Sequence, residues 1–468
     1  MKKSSVLILT LTIFFCSCGS APLEVQNSNS TLSEQPNVVL ILSDDQRADD
    51  LGSMPNLAAL TEEATNFTHA YVTTPLCCPS RSSILTGEYA HNHGVLGNTP
   101  PYGFEAFSDS VTLATWLQDA GYTTALIGKY LNGYADTKGK YVPPGWDTFM
   151  AFVKGPNYTD YTLKNFVDGV DEGILKYASS EEDYSTEVLT QDAVDFLTAT
   201  ESEDEQPFFL YFTPYAPHAP ATPPDEYKDL VANIDPTSAP SYNETDVSDK
   251  SSWVKDLPPL SVKDEAQLKT YGQLTAGALK SLDDGIGQII DTLKANGELE
   301  NTLIIYMSDN GLQWGEHRIA LSKNAPYEES VHIPLVIYDG RAPAGKTVDE
   351  FVLNIDLAPT LLEWAGVPIP DSVDGKSLRS LLEGQSEGWR ASFLTEAWAG
   401  REGVTFNGVH EGQWSYIDYG DGEIELYDLQ VDPYQLDNLA QDDAYADTLK
   451  KLQAELARLK ECKGETCS

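Results

Sequence analysis

Residues 37–43, 123–127, 208–212 and 302–307 are short, nearly unbroken apolar runs, and stretches with helical apolar spacing separate them. An unbroken run of this length is what a strand buried on both faces requires, whereas a half-exposed strand alternates. The intervals predict helices over 54–65 (with Pro55 in the first turn), 111–120, 186–198 and 265–295, the last with room for a break at Gly285 and Gly287. Further strands are expected over 67–73 and 333–338, and a helix over 355–365. Strands alternating with helices predict an α/β fold, a large, mainly parallel mixed sheet with helices on both faces. Beyond about residue 391 the texture changes to short alternating segments (414–417, 423–427) and a charged helix over 445–460, which predicts a small antiparallel sheet with one helix.

The expected organisation is an export signal over 1–18, a polar tether over 19–36, the large α/β domain over 37–385 and a C-terminal α+β subdomain over 386–468. Residues 220–262, rich in Pro, Asp and Ser, are expected to form a long surface insertion near the ligand site. Lys2 and Lys3 precede an apolar stretch too short to span a bilayer, as in an export signal. Residues 15–19 loosely resemble a lipobox, so the chain is expected to be secreted, periplasmic or cell-surface, with membrane attachment only through a lipid on Cys18. Cys462 and Cys467 predict a small terminal disulfide. Cys77 and Cys78 are then left without partners.

A formal charge of -42 argues against nucleic acid and anionic membrane surfaces as partners. An anionic ligand would need a local basic pocket drawn from only 30 Lys and Arg. Polar residues at the strand ends supply candidates. Asp44-Asp45, Lys129, His218 and Asp309-Asn310 each follow a predicted strand, and the carboxyl ends of such strands are where ligands bind. Taken singly, the acidic pairs read as turn chemistry, the lysines as solvated charges and His218 as a structural histidine. Their shared edge is what joins them. Hard oxygen donors of this kind suit Ca²⁺ or Mg²⁺ better than zinc. Residues 77–87, CCPSRSSILTG, predict a short helix with Cys77 just before its N-terminus, a serine capping an orphan N–H and Gly87 as the stop. The helix dipole there favours anions.

Cys77-Cys78-Pro79-Ser80-Arg81, followed by Leu85-Thr86-Gly87, resembles the type I sulfatase signature of the alkaline-phosphatase superfamily. The resemblance covers residue 36 to the C-terminus, including Glu425-Leu426-Tyr427-Asp428-Leu429 near the end. It implies that Cys77 is oxidised to formylglycine (3-oxoalanine) by a formylglycine-generating enzyme. It also implies that Asp44, Asp45, Asp309, Asn310 and the modified Cys77 hold a divalent ion, calcium or magnesium. Arg81 is then expected beside the formylglycine, Lys129 and Lys323 on sulfate oxygens, and His218 near the leaving oxygen. His91, His93, Asn98 and His317 are further candidates for substrate contact. Lys129-Tyr130-Leu131-Asn132 departs from the Gly-Lys-Trp-His of many arylsulfatases and, with 141–146 (YVPPGW), is closer to the N-acetylglucosamine-6-sulfatase branch.

The expected function is therefore an exported sulfatase acting on a sulfated carbohydrate, either 6-O-sulfated N-acetylglucosamine or an algal or host polysaccharide. The rival readings are a broad arylsulfatase, a phosphate monoester or diester hydrolase of the same superfamily, and a non-catalytic surface glycan-binding protein.

Overall fold

The computed structural model describes residues 35–201, 206–230, 236–398 and 403–467. The predicted export signal, the Cys18 lipid site and nearly all of the tether lie outside the described residues. No described helix is long and apolar enough to cross a membrane.

Sixteen strands are described: β1 (Asn37–Ser43), β2 (Thr65–Phe67), β3 (Ala70–Tyr71), β4 (Thr123–Gly128), β5 (Thr148–Ala151), β6 (Thr162–Val167), β7 (Val170–Lys176), β8 (Phe208–Thr213), β9 (Thr302–Ser308), β10 (Leu335–Asp339), β11 (Lys346–Val348), β12 (Val352–Leu353), β13 (Ser392–Ala397), β14 (Phe406–Glu411), β15 (Trp414–Asp418) and β16 (Ile424–Asp428). Ten build one sheet in the order β11-β2-β10-β9-β1-β8-β4-β5-β6-β7. Its centre is parallel: β1 pairs with β9 on one side and β8 on the other, and β4 continues from β8 to β5. Antiparallel β10 and the β6–β7 hairpin flank it. The predicted strand over 67–73 is instead two short strands in different sheets, β2 beside β10 and β3 beside β12.

The apolar runs work as their continuity requires. In β1, Val39 and Ile41 face one core with Leu189, Ala193 and Phe196 of helix Ser185–Glu201 and Leu282, Ile286 and Ile289 of helix Val262–Asn296. Val38, Leu40 and Leu42 face the other core with Ile84, Leu113, Leu117, Leu357 and Leu361. Helix Val262–Asn296 runs unbroken through Gly285 and Gly287. A Cβ at Gly285 would lie 2.4 Å from Thr190 Oγ1, so this glycine serves close helix packing rather than a break.

The C-terminal part is a four-stranded antiparallel sheet, β13-β14-β15-β16, covered by helix Ala446–Leu459, whose Leu452, Leu456 and Leu459 are buried against it. Cys462 and Cys467 are disulfide-bonded. The insertion after β8 is no loose surface loop, because Ser241, Val247, Lys250, Ser251 and Val254 within it are buried.

Candidate active site

The carboxyl ends of β1, β4, β8 and β9 converge. Asp44 and Asp45 follow β1, Lys129 follows β4, Thr213 closes β8 ahead of His218, and Asp309 and Asn310 follow β9. Asp45 holds a left-handed backbone (φ 66°) and its N–H donates to Asp309 Oδ1 at 3.1 Å, which binds the ends of two neighbouring strands together. Gly128 lets β4 come up against β8: Lys129 N donates to Thr213 O at 2.7 Å, and any Cβ at residue 128 would clash with that carbonyl.

Helix Cys77–Thr86 points its N-terminus into this edge. Cys77 is its first residue rather than the one before it, and Gly87 ends it at φ 73°. No serine caps the first turn. The amide oxygen of Asn98 accepts the Cys78 N–H at 3.0 Å, while Ser80 Oγ meets Asn354 Nδ2. Asn98 thus holds the start of the helix, and it is not among the pocket residues.

The polar groups form one continuous buried network. Arg81 Nε donates to Asp309 Oδ2 at 2.7 Å, and its NH1 donates to Lys129 O at 2.8 Å and Thr213 Oγ1 at 2.6 Å. Lys129 Nζ pairs with Asp44 Oδ2. Lys323 Nζ meets both oxygens of Asp45, at 2.6 and 2.8 Å, and Cys77 Sγ at 2.8 Å. Three carboxylates therefore balance three cations. Burial alone would raise the Asp44 and Asp45 carboxyls, yet both lie below the usual range, Asp44 through Lys129, His218 and Arg81 and Asp45 chiefly through Lys323 and His218. Lys129 and Lys323 are held above the usual lysine value despite burial, by Asp44 and Asp45 respectively. Burial pushes the Cys77 thiol well up, so the helix dipole does not make it a thiolate here.

Asp44, Asp45, Cys77 and His218 bring their donor atoms within 4.8 Å of one another. Asn310 Nδ2 donates to Asp45 Oδ1 at 2.7 Å, which leaves Asn310 Oδ1 buried with no hydrogen-bond partner. His218 Nδ1 donates to Ala219 O at 2.8 Å, its ring stacks on Tyr215, and Nε2 is turned toward Asp45 Oδ2 at 3.4 Å. A pocket of about 220 Å³ opens above, lined by Asp45, His218, Ala219, Tyr271, Leu312, Leu321, Ser322 and Lys323. Tyr271, Leu312 and Leu321 escaped sequence reasoning because apolar residues in a wall look like core. Thr213 carried the same strand-end signal as Lys129 and was there to be found. A larger groove of about 930 Å³, near Trp364 and Arg341, contains none of the candidate residues.

Three predicted substrate contacts sit elsewhere. His91 Nδ1 pairs with Glu396 at 2.9 Å and Nε2 meets Cys462 O at 3.0 Å, which binds it to the C-terminal subdomain. His93 bonds Ser83 Oγ and accepts the Val95 N–H, and burial lowers it to about 3. His317 is fully buried, paired with Glu244 at 2.7 Å and packed on Tyr327. At the position where many arylsulfatases carry a histidine, Leu131 is buried in the core.

The family model described as sulfatase matches residues 36–367, and that described as N-sulphoglucosamine sulphohydrolase, C-terminal, matches 315–462. The chain is 35% identical to the extracellular sulfatase SULF-1 homolog of Drosophila melanogaster, over 81% of this chain and 34% of that one. It spans about half of a Caenorhabditis elegans counterpart, at 53%. Against the N-acetylglucosamine-6-sulfatase of Capra hircus it is 31% identical over 93% of this chain and 85% of the relative. Among solved structures, a protein in complex with its substrate D-glucosamine-2-N,6-O-disulfate aligns at TM-score 0.76 and 23% identity, over 91% of this chain and 98% of that one. A phosphonate monoester hydrolase from Silicibacter pomeroyi aligns at TM-score 0.73 and 26% identity, over 93% and 97%. With its large mixed sheet, its separate four-stranded sheet and a family match over most of its length, the chain belongs to the sulfatase family.

Proposed function

We propose that this chain is an exported sulfatase that removes 6-O-sulfate from N-acetylglucosamine or a related sulfated carbohydrate. In this reading Cys77 is converted to formylglycine by a formylglycine-generating enzyme, and a divalent cation, calcium or magnesium, is bound beside it. The observation that carries it is the network in which Lys129 and Lys323 each bridge to an aspartate around the Cys77 end of a helix. That arrangement concentrates cationic donors in a chain whose overall charge is strongly negative. The likeness to N-acetylglucosamine-6-sulfatase supports the sugar and the position.

The donor set fits the ion. Asp44 and Asp45 offer hard oxygens in the donor cluster, Asp309 adds a carboxylate held by Arg81 and the Asp45 N–H, and the unpartnered Asn310 Oδ1 is the kind of buried atom a cation satisfies. When bound, the ion would neutralise charge developing on sulfate oxygens. The hydrated aldehyde at residue 77 supplies a hydroxyl nucleophile in place of the thiol.

The chain's own residues do the rest. Lys129 and Lys323, held beside their aspartates, donate to the sulfate oxygens, and the helix N-terminus adds N–H dipoles. Arg81, fixed by Asp309, Thr213 and Lys129 O, stays in place as a fixed charge behind residue 77. His218, which lines the pocket, gives an Nε2 proton to the departing sugar oxygen as the S–O bond breaks. The sulfur thereby passes to the residue 77 oxygen. Loss of the proton from the second hydroxyl would re-form the aldehyde and break that C–O bond, releasing hydrogen sulfate. One water would rehydrate the aldehyde, so that ester plus water gives alcohol plus hydrogen sulfate. Tyr271, Leu312 and Leu321 form an apolar wall for the sugar ring.

The test is parallel turnover of 6-O-sulfated N-acetylglucosamine, aryl sulfate, aryl phosphate and aryl phosphonate by the mature protein and by Cys77→Ala. Intact mass of the peptide around Cys77 reports loss of sulfur and two hydrogens against gain of one oxygen. Full turnover by Cys77→Ala would defeat the mechanism. Preference for phosphonate would favour the second reading, a phosphate or phosphonate monoester hydrolase, which the Silicibacter pomeroyi likeness supports.

A further inference from the structure

Residues 315–324 carry the chain into the pocket wall, delivering Leu321, Ser322 and Lys323. Left-handed backbone is concentrated there: Gly315 (φ 112°), His317 (52°), Arg318 (66°), Leu321 (38°) and Asn324 (61°). Non-glycine residues disfavour that region, so something must hold the loop in shape. Its base is closed by its own backbone bonds, Gln313 N to Ser322 O and Gly315 N to Ile319 O. Its tip is held by the insertion that follows β8. The Asn243 N–H donates to Gly315 O and the His317 N–H to Ser241 O, each at 2.8 Å. His317 Nδ1 pairs with Glu244 Oε2 at 2.7 Å.

Arg318 makes the widest bridge. Nε donates to Glu244 O at 2.8 Å, NH2 to Thr245 O at 2.7 Å and NH1 to Leu257 O at 3.1 Å. One guanidinium thus fastens both ends of segment 244–257 to the loop. All three acceptors are backbone carbonyls, a pattern that needs the planar fork of arginine and that lysine cannot reproduce. The segment is itself anchored on the C-terminal subdomain: Lys250 Nζ donates to Gln435 O at 2.8 Å and Leu436 O at 2.6 Å in the loop after β16, and the Ser251 N–H donates to Glu425 Oε1 of β16 at 2.6 Å. Arg318 is not among the residues lining the pocket.

We propose that Arg318 is a positioning residue that holds Lys323 at its place beside Asp45 and residue 77, so that the insertion and the C-terminal sheet govern a site they do not touch. The inference rests on the reading of Lys323 as a sulfate-gripping group. Displacing a catalytic group by about 1 Å costs on the order of a hundredfold in rate.

The experiment is a double-mutant cycle on the mature enzyme, reading kcat/KM for 4-nitrophenyl sulfate and inhibition by inorganic sulfate. Arg318→Ala is expected to lower kcat/KM by about tenfold to a hundredfold and to weaken sulfate inhibition by a similar factor. In a Lys323→Ala background the same change is expected to add less than about twofold, because the group it positions is gone. Arg318→Lys is expected to behave like Arg318→Ala. Should Arg318→Ala fail to fold, Arg318→Lys, which keeps the stem and the charge but not the fork, takes its place in the cycle. An unchanged fold-loss in both backgrounds, or wild-type activity in Arg318→Lys, overturns the inference alone. Wild-type activity in Lys323→Ala removes the sulfate-grip reading and this inference with it.

Discussion

Lys323 grips both carboxylate oxygens of Asp45 deep in the protein while also meeting Cys77 Sγ. Both members are largely buried at the floor of the pocket, so removing one leaves the other with little water to replace it. Breaking such a pair leaves an uncompensated buried charge and costs about 3–5 kcal/mol. Lys323→Ala is therefore expected to lower stability in chelator by an amount of that order, with added Ca²⁺ recovering much of it by taking over the Asp45 charge. With Ca²⁺ present, turnover should still fall by about a hundredfold. Urea unfolding with and without Ca²⁺, beside kcat/KM, reads both effects. A variant as stable as wild type in chelator would contradict the pairing.

Three aspartates against Arg81, Lys129 and Lys323 leave the site neutral before any ion enters. A divalent cation then makes it net positive, which is what an anionic ester needs. Chelation of the mature protein should abolish turnover and lower the melting temperature. Restoring Ca²⁺ at about a hundred times its Kd should return about 2.7 kcal/mol of stability. Asn310→Ala removes the unpartnered amide oxygen and should weaken that recovery, read as a rightward shift in a Ca²⁺ titration of the melting temperature. Equal recovery in Asn310→Ala would mean that the amide is no ligand.

His91 yields a pH dependence away from the site. Burial works to lower it, but its hydrogen bond and ion pair with Glu396 raise it to about 9 from an ordinary 6.5. A base whose folded value is raised contributes stability that is fully present below pH 6.5 and lost as pH climbs to about 9. Because the ring is partly solvated, the contribution is about 1–2 kcal/mol, less than the full shift would give. His91→Gln should thus be less stable than wild type at pH 6, and the gap should close near pH 10. Paired denaturation curves at the two pH values measure it, and a pH-independent gap would contradict the charged pair.

The strand ends were legible because an unbroken apolar run that stops at polar residues marks both a buried strand and the place where it surfaces. That logic put Asp44, Lys129, His218 and Asp309 on one edge, where the structure has them. It failed for β6 and β7, whose TLKNFV and VDEGILK mix charge with apolar residues on a strand pair at the sheet edge. The histidines misled for a different reason. His91 and His317 lie next to motif residues, but Glu396 and Glu244, which claim them, stand 305 and 73 residues away. Nothing local announces such a partner. The insertion was misjudged on composition, since what buries Lys250 is a pair of backbone carbonyls at Gln435 and Leu436.

Gly128 tests whether the strand edge itself sets the site. At φ 125° an L side chain is strained, and a Cβ would stand 2.0 Å from Thr213 O and 2.5 Å from its carbon, both backbone atoms that cannot rotate away. Gly128→Ala must therefore part β4 from β8 at the point where Lys129 leaves the sheet. The same movement pulls Lys129 O and Thr213 Oγ1 off Arg81 NH1, leaving a buried guanidinium with two of its acceptors displaced. The expected outcome is a loss of about 3 kcal/mol or more in urea unfolding and at least a tenfold fall in kcat/KM for the surviving folded fraction. The two readouts separate the causes: a stability loss with normal turnover would mean that Arg81 and Lys129 reach their positions without the β4–β8 contact. Wild-type behaviour in both would mean that the two strands have slack at this edge.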